Sequence, residues 1–187
     1  MPAQPEALRD LAAFLERHHI RYMVIGGLAN AVWGRPRATY DADVKVVLGD
    51  LTIAEFGDLV GQHFSFRLPD AVSFAQRTYV LLILLNDEMP ADLVVGYLPY
   101  EDQAIERAIS VEIEGATLPV CTAEDLIIHK AISERERDWQ DIEGVLLRRG
   151  TKLDQPYIET WLEEFAAGLA RPEILSRYRG LRAQLGL

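Results

Sequence analysis

Two aspartates, Asp41 and Asp43, stand two positions apart in an alternating apolar run, TYDADVKVV. In a β-strand successive side chains alternate faces, so both carboxylates project from one face, roughly 6–7 Å apart along the backbone. Hard oxygen donors at that separation suit Mg²⁺, above all beside phosphates. Two metal ions in such a site stabilise the attacking and leaving oxygens of an in-line displacement. Upstream, Gly26 and Gly27 follow an apolar run (22–25) and precede a compact amphipathic segment (28–33) that stops at Gly34. Glycine lets the backbone approach a ligand closely, and the N–H groups and dipole of a helix N-terminus favour an anion there. Singly, Gly-Gly is a tight turn and Asp-x-Asp a solvated strand face. Their conjunction in one unit of strand, Gly-Gly turn, helix, basic turn (Arg35-Pro36-Arg37) and strand is what points to phosphate chemistry.

The elements that must hold this unit follow from periodicity. Leu8, Leu11, Phe14 and Leu15 have helical spacing over 5–19, with Pro5 suited to a first turn. His18 and His19 are not read as a metal pair, because adjacent residues diverge on a helix. Asp50 is expected to cap a helix over 51–63. Within 71–85 the run TYVLLILL, apolar on both faces, predicts a central strand covered on both sides. Residues 86–90 form a hairpin loop and 91–97 the next strand, with Asp92, a lone acid, near its start. A helix over 101–108 precedes a hairpin over 110–120 that turns at Glu114-Gly115, and Pro119 assigns it to a sheet edge. Thr122 to Asp125 has a capping-box pattern that opens a long helix ending at Gly150. Its charged middle marks a break near 133–137 or a face turned to solvent. Two further helices are expected over 156–169 and 172–185, the last with a local basic face, Arg171, Arg177, Arg179 and Arg182.

Forty-nine per cent hydrophobic content across 187 residues supports a real core in one domain, or a core with a helical appendage. No apolar run reaches the ~18 residues of a membrane span. A secretory pattern is missing at the N-terminus, and the lone Cys121 reads as a reduced, partly buried residue, so a cytoplasmic location is expected. Net charge is −10, from 29 acidic and 19 basic residues, an awkward balance for a polynucleotide binder. A small nucleotide carrying its own Mg²⁺ is less affected.

Gly26-Gly27 followed by Arg37-x-Thr39-x-Asp41-x-Asp43 resembles the active-site signature of the DNA polymerase beta-type nucleotidyltransferases, and more closely that of the AbiEii-type branch, which includes bacterial toxins. A second stretch, Asp125-Leu126 through Lys130 and then Arg137-Asp138 through Asp141-Ile142, resembles that branch's second signature. The resemblance covers most of residues 20–150. It implies Mg²⁺ (or Mn²⁺) held by Asp41, Asp43 and a third carboxylate on a neighbouring strand, for which Asp92 is the candidate and Asp87 the competitor. It also implies nucleotide contacts from Gly26, Gly27, Arg37, Thr39, Lys130 and Asp138, with Asp141 in the same signature. Considered by itself, the charged stretch around Lys130 is also compatible with an ordinary salt-bridged surface.

These readings predict an α/β (α+β) fold: a nucleotidyltransferase-like mixed sheet flanked by helices over 1–121 and a helical C-terminal part over 122–187. The implied activity is transfer of a nucleotide from a nucleoside triphosphate to an RNA (tRNA), protein or small-molecule hydroxyl, in a toxin–antitoxin or phage-defence setting with a cognate antitoxin as possible partner. The alternative is a non-catalytic nucleotide-binding or antitoxin-like protein of the same fold.

Overall fold

The computed structural model describes residues 5–113, 115–133 and 135–187. Glu114 of the expected hairpin turn and Glu134 of the charged stretch lie outside the described residues. The chain divides into two units: the chain up to Leu28 with Ala38–Val120, and Ala29–Arg37 with Cys121–Leu187.

The first unit is built on a mixed sheet. Its strands are β1 (Arg21–Val24), β2 (Ala42–Val47), β3 (Ser65–Phe66), β4 (Val80–Leu85), β5 (Met89–Gly96), β6 (Ile109–Ile113) and β7 (Ala116–Val120). Among the described residues they form one seven-stranded sheet in the order β3-β4-β5-β2-β1-β7-β6. β2 runs parallel to β5 and β1 to β7, while the other pairings are antiparallel. The side chains of Ala42, Val44 and Val46 on β2 and of Ala91, Leu93 and Val95 on β5 share one face and are buried, as the period of two requires. Helix α1 (Pro5–Arg17) packs on β7, β1 and β4 and buries Leu8, Leu11, Phe14 and Leu15. It stops short of the expected His19, which takes a left-handed φ of 56° and lets the Ile20 N–H bond back to the Leu15 carbonyl.

Several expected elements shift for local reasons. Helix α3 (Ile53–Gly61) is capped by Thr52 and not by Asp50, because Thr52 and Glu55 form a reciprocal capping box. The stretch 71–85 splits into α4 (Ala71–Thr78) and β4, divided by Tyr79 at φ 60°. β4 is not covered on both faces: its burial alternates, and it lies next to the short edge strand β3. The β6–β7 hairpin ends the sheet as expected, with β6 the edge strand and β7, which carries Pro119, one place inside it. The ladder of β7 to β1 is confined to Val24↔Val120, which leaves Pro119 outside it. Helix α5 (Pro99–Arg107) packs on β1 and β2, where Glu101 accepts from the Leu98 N–H at 2.9 Å and pairs with the buried Lys45 at 3.4 Å. Burial lowers the Lys45 ammonium's pKa, and Glu101 offsets part of that.

The second unit is helical. The predicted long helix is two, α6 (Ala123–Ala131) and α7 (Glu136–Arg149), broken within the charged stretch. α8 (Gln155–Gly168) and α9 (Glu173–Gln184) follow. Thr122 caps α6 through the Asp125 N–H at 3.1 Å, and Tyr157 of α8 donates to Asp125 at 2.7 Å. Among the described residues no helix is long and apolar enough to cross a membrane.

Candidate active site

In the first unit two carboxylates stand side by side at one end of two parallel strands. Asp43 on β2 and Asp92 on β5 are register partners, so their side chains leave the same face of the sheet on strands roughly 4.8 Å apart. Lys45 and Val94, then Val47 and Gly96, continue that face. At its far end Glu101 of α5 lies so close that a Cβ on Gly96 would stand 2.6 Å from the Glu101 Cγ. Helix α5 therefore fills one end of the face, and Asp43 and Asp92 stand at the other. Asp41 does not belong to β2 as expected. It lies in the bend before the strand, where the Thr39 hydroxyl donates to its Oδ1 at 2.8 Å. Asp41 remains near enough to raise the Asp92 pKa.

The glycines are placed over Asp43. The structure puts Gly26 and Gly27 inside helix α2 (Gly26–Trp33), as its first turn, and not in a turn ahead of it. Gly26 has φ 61°, and a Cβ there would stand 1.8 Å from Asp43 Oδ2. A Cβ on Gly27 would stand 2.5 Å from the Thr39 hydroxyl oxygen, and the Gly27 N–H donates to Asp43 Oδ2 at 3.4 Å. Only hydrogen fits at either position without displacing a candidate site residue.

Sequence reasoning missed Arg67. Its Nη1 donates to Asp92 Oδ1 at 2.6 Å. Burial pushes the Asp92 carboxyl pKa up, Arg67 pulls it down, Asp41 adds to the rise, and the net is upward. A lone arginine in the loop after β3 carries no local signal of a partner 25 residues away. Asp87, the competitor for the third position, lies in the turn at φ 56° and accepts from Ser65 at 2.6 Å. Among the described residues no group of three His, Cys, Asp and Glu side chains is gathered for a metal ion. The chemistry of the donor set nevertheless fits Mg²⁺, since Asp41, Asp43 and Asp92 offer only hard carboxylate oxygens.

The second unit holds a separate buried cluster. Lys130 is 5% exposed, and its Nζ donates to Asp138 Oδ1 at 2.8 Å and to Asp141 Oδ2 at 2.6 Å. Asp138 Oδ2 also accepts from Ser133 at 2.7 Å and from Arg135 Nε at 2.6 Å. Burial alone would raise the Asp138 carboxyl pKa, but the hydrogen bonds from Lys130, Ser133 and Arg135 outweigh it and hold it below its ordinary value. Asp141 accepts from Asn30 Nδ2 at 3.2 Å, and Arg37 lies 3.6 Å from its carboxylate. Lys130 is thus engaged with two carboxylates, where the resemblance expected it at phosphates. Asn30, fully buried in α2, was missed. A lone amide in an otherwise apolar helix was the available signal. The C-terminal arginines are paired as well, Arg171 with Glu173, Arg177 with Glu136, and Arg179 and Arg182 with Glu159.

Residues 4–168 match the family described as "Nucleotidyl transferase of unknown function (DUF2204)". The chain belongs to that family. Membership in this nucleotidyl transferase family bears out the enzymatic class read from the two signatures, while naming no AbiEii branch. None of the curated proteins matches the chain. Among solved structures, the chain is similar to an antigenic nucleotidyltransferase-like protein from Paracoccidioides brasiliensis, at TM-score 0.55 and 15% identity over 96% of this chain and 95% of that one. It is similar to the antibiotic-resistance factor ANT(2'')-Ia, at TM-score 0.52 and 14% identity over 97% and 96%. A third likeness is to the lincosamide antibiotic adenylyltransferase LnuA in its lincomycin-bound form, at TM-score 0.50 and 14% identity over 78% and 98%. At such identities these likenesses speak to the fold, a mixed sheet flanked by helices.

Proposed function

We propose that this DUF2204 member transfers a nucleoside monophosphate from a nucleoside triphosphate to a hydroxyl acceptor, with Mg²⁺ at Asp41, Asp43 and Asp92. The observation that carries the proposal is the register pairing of Asp43 with Asp92 below a Gly-Gly first turn that only glycine fits. Bound there, the metal would supply charge neutralisation on the triphosphate and on the attacking and leaving oxygens. Gly26 and Gly27, which the resemblance places at the phosphates, let the Asp43 carboxylate and the Thr39 hydroxyl lie against the backbone, and Thr39 in turn orients Asp41. Asp92, whose pKa is raised, is suited to take the proton of the acceptor hydroxyl. That oxygen then bonds to the α-phosphorus, the α–β phosphoanhydride bond breaks, and pyrophosphate leaves. Arg37, Lys130 and Asp138, which the resemblance names as nucleotide contacts, lie in the second unit's ion-pair cluster.

A small hydroxyl compound is the acceptor class best supported over RNA or protein. Net charge is −10 and the C-terminal arginines are engaged by glutamates, with Arg179 and Arg182 sharing Glu159, so most of that stretch's positive charge is offset before a polynucleotide arrives. The neighbours named for antibiotic resistance and adenylyl transfer point the same way. A toxin role in a toxin–antitoxin or phage-defence system rests on the AbiEii resemblance, and growth arrest on induction, relieved by Asp43→Asn, tests it. The non-catalytic alternative draws on the engagement of Lys130 with Asp138 and Asp141.

The deciding experiment supplies each of the four α-labelled NTPs with Mg²⁺ and pools of small hydroxyl compounds, RNA and protein. Label transferred by wild type and not by Asp43→Asn supports the proposal, and the labelled product names the acceptor class. Absence of transfer with every NTP, together with absence of Mg²⁺–NTP binding, sinks it.

A further inference from the structure

The proposed chemistry leaves Arg67 without a role. Phe66 is the register partner of Ile83, and the Arg67 N–H donates to the Leu82 carbonyl at 3.1 Å, which continues the β3–β4 pairing by one residue. Leu82 is in turn the register partner of Asp92, and Asp92 of Asp43. Arg67, Leu82, Asp92 and Asp43 thus form one row across four neighbouring chain segments, and residues in such a row share a sheet face. Arg67 spans β4 along this row to reach Asp92 Oδ1.

Fold stability explains little of this contact. The side chains of Arg67 and Asp92 are 34% and 28% exposed, and partly exposed pairs of that kind contribute little to stability. The edge strand is already tied down by its ladder to β4 and by the Ser65–Asp87 hydrogen bond. What the contact does is put a fixed cation on the carboxylate that stands opposite Asp43. Resting on the metal reading of the site given above, we propose that Arg67 is the resident counter-cation of Asp92, a positioning residue that competes with a divalent ion for that carboxylate. A guanidinium and a metal ion both draw on the same oxygens, so each lowers the free energy gained by the other. Arg67 keeps Asp92 compensated when no metal is bound and weakens capture of a lone divalent ion.

The test measures Mn²⁺ binding, by calorimetry and by electron paramagnetic resonance, to the nucleotide-free full chain. Wild type is compared with Arg67→Gln, Arg67→Lys and Asp43→Asn. Arg67→Gln is expected to bind Mn²⁺ about fivefold more tightly, the factor carried by loss of a partly exposed ion pair, and Arg67→Lys to stay close to wild type. Should the glutamine variant melt early, Arg67→Met, which keeps the apolar stem, takes its place. Mn²⁺ binding that Asp43→Asn weakens but Arg67→Gln leaves unchanged or weakens overturns the role of Arg67 alone. Binding absent from every protein, and absent again when the measurement is repeated with ATP, overturns the metal reading and this proposal with it.

Discussion

Asp43 and Asp92 face each other as register partners on the parallel strands β2 and β5, 49 residues apart in sequence. Everything proposed about chemistry depends on this pair. Asp43→Asn and Asp92→Asn keep size and remove charge: Asp92→Asn is expected to lower kcat by about 10²–10⁴-fold, the range for loss of a positioned acid–base group, and Asp43→Asn to abolish transfer by removing a metal-holding carboxylate. Thermal melting within a few degrees of wild type would place that loss in the chemistry and not in the fold.

Gly26 tests the same site from above. An alanine there must hold a φ of 61° and place its Cβ where Asp43 Oδ2 lies. Left-handed backbone costs a residue with a Cβ about 1–2 kcal/mol, and the carboxylate must move as well. Urea unfolding of Gly26→Ala is expected to show at least that loss of stability, together with loss of transfer. An alanine variant of unchanged midpoint and activity would remove the glycine from the site.

Lys130 makes a prediction about stability. Lys130→Met leaves Asp138 and Asp141, both buried, without their shared cation, and breaking a buried pair costs about 3–5 kcal/mol. Replacing the cluster as a unit, with Asp138→Asn and Asp141→Asn added, is expected to recover part of that loss. A double-mutant cycle on unfolding free energies measures the coupling.

Acid sensitivity follows from Asp138. Its folded-state pKa is held below the ordinary value, so the stability it contributes is present above the unfolded pKa, about 3.9, and is lost as pH falls through the folded value. Melting temperature against pH should therefore fall less steeply below about pH 4 in Asp138→Asn than in wild type. Parallel curves would count against this assignment.

Cys121 is fully buried, and burial pushes its thiol pKa well up. The folded protein is expected to resist a thiol-specific reagent and to react once urea unfolds it. Rapid labelling of the native chain would contradict the burial.

What the sequence by itself determined were features that lie within a few residues of their cause. The apolar stripe of α1, the Thr122 cap of α6 and the Gly-Gly unit before two aspartates are all periodicity or local chemistry, whereas the charged stretch left a break and a solvent-facing side open until the structure divided α6 from α7. The two signatures also carried the nucleotidyltransferase class, which family membership bears out. Tertiary structure alone decided the partners. Parallel pairing of β2 with β5 is a register chosen by the whole sheet, and it is what sets Asp92 opposite Asp43. Arg67 reaches Asp92 only because β3, β4 and β5 are consecutive neighbours in the sheet, and Lys130 becomes a buried hub only because α6 and α7 fold back on one another. Ion pairs are made by side chains distant in sequence, and no periodicity encodes which opposite charge a folded chain will bring within reach.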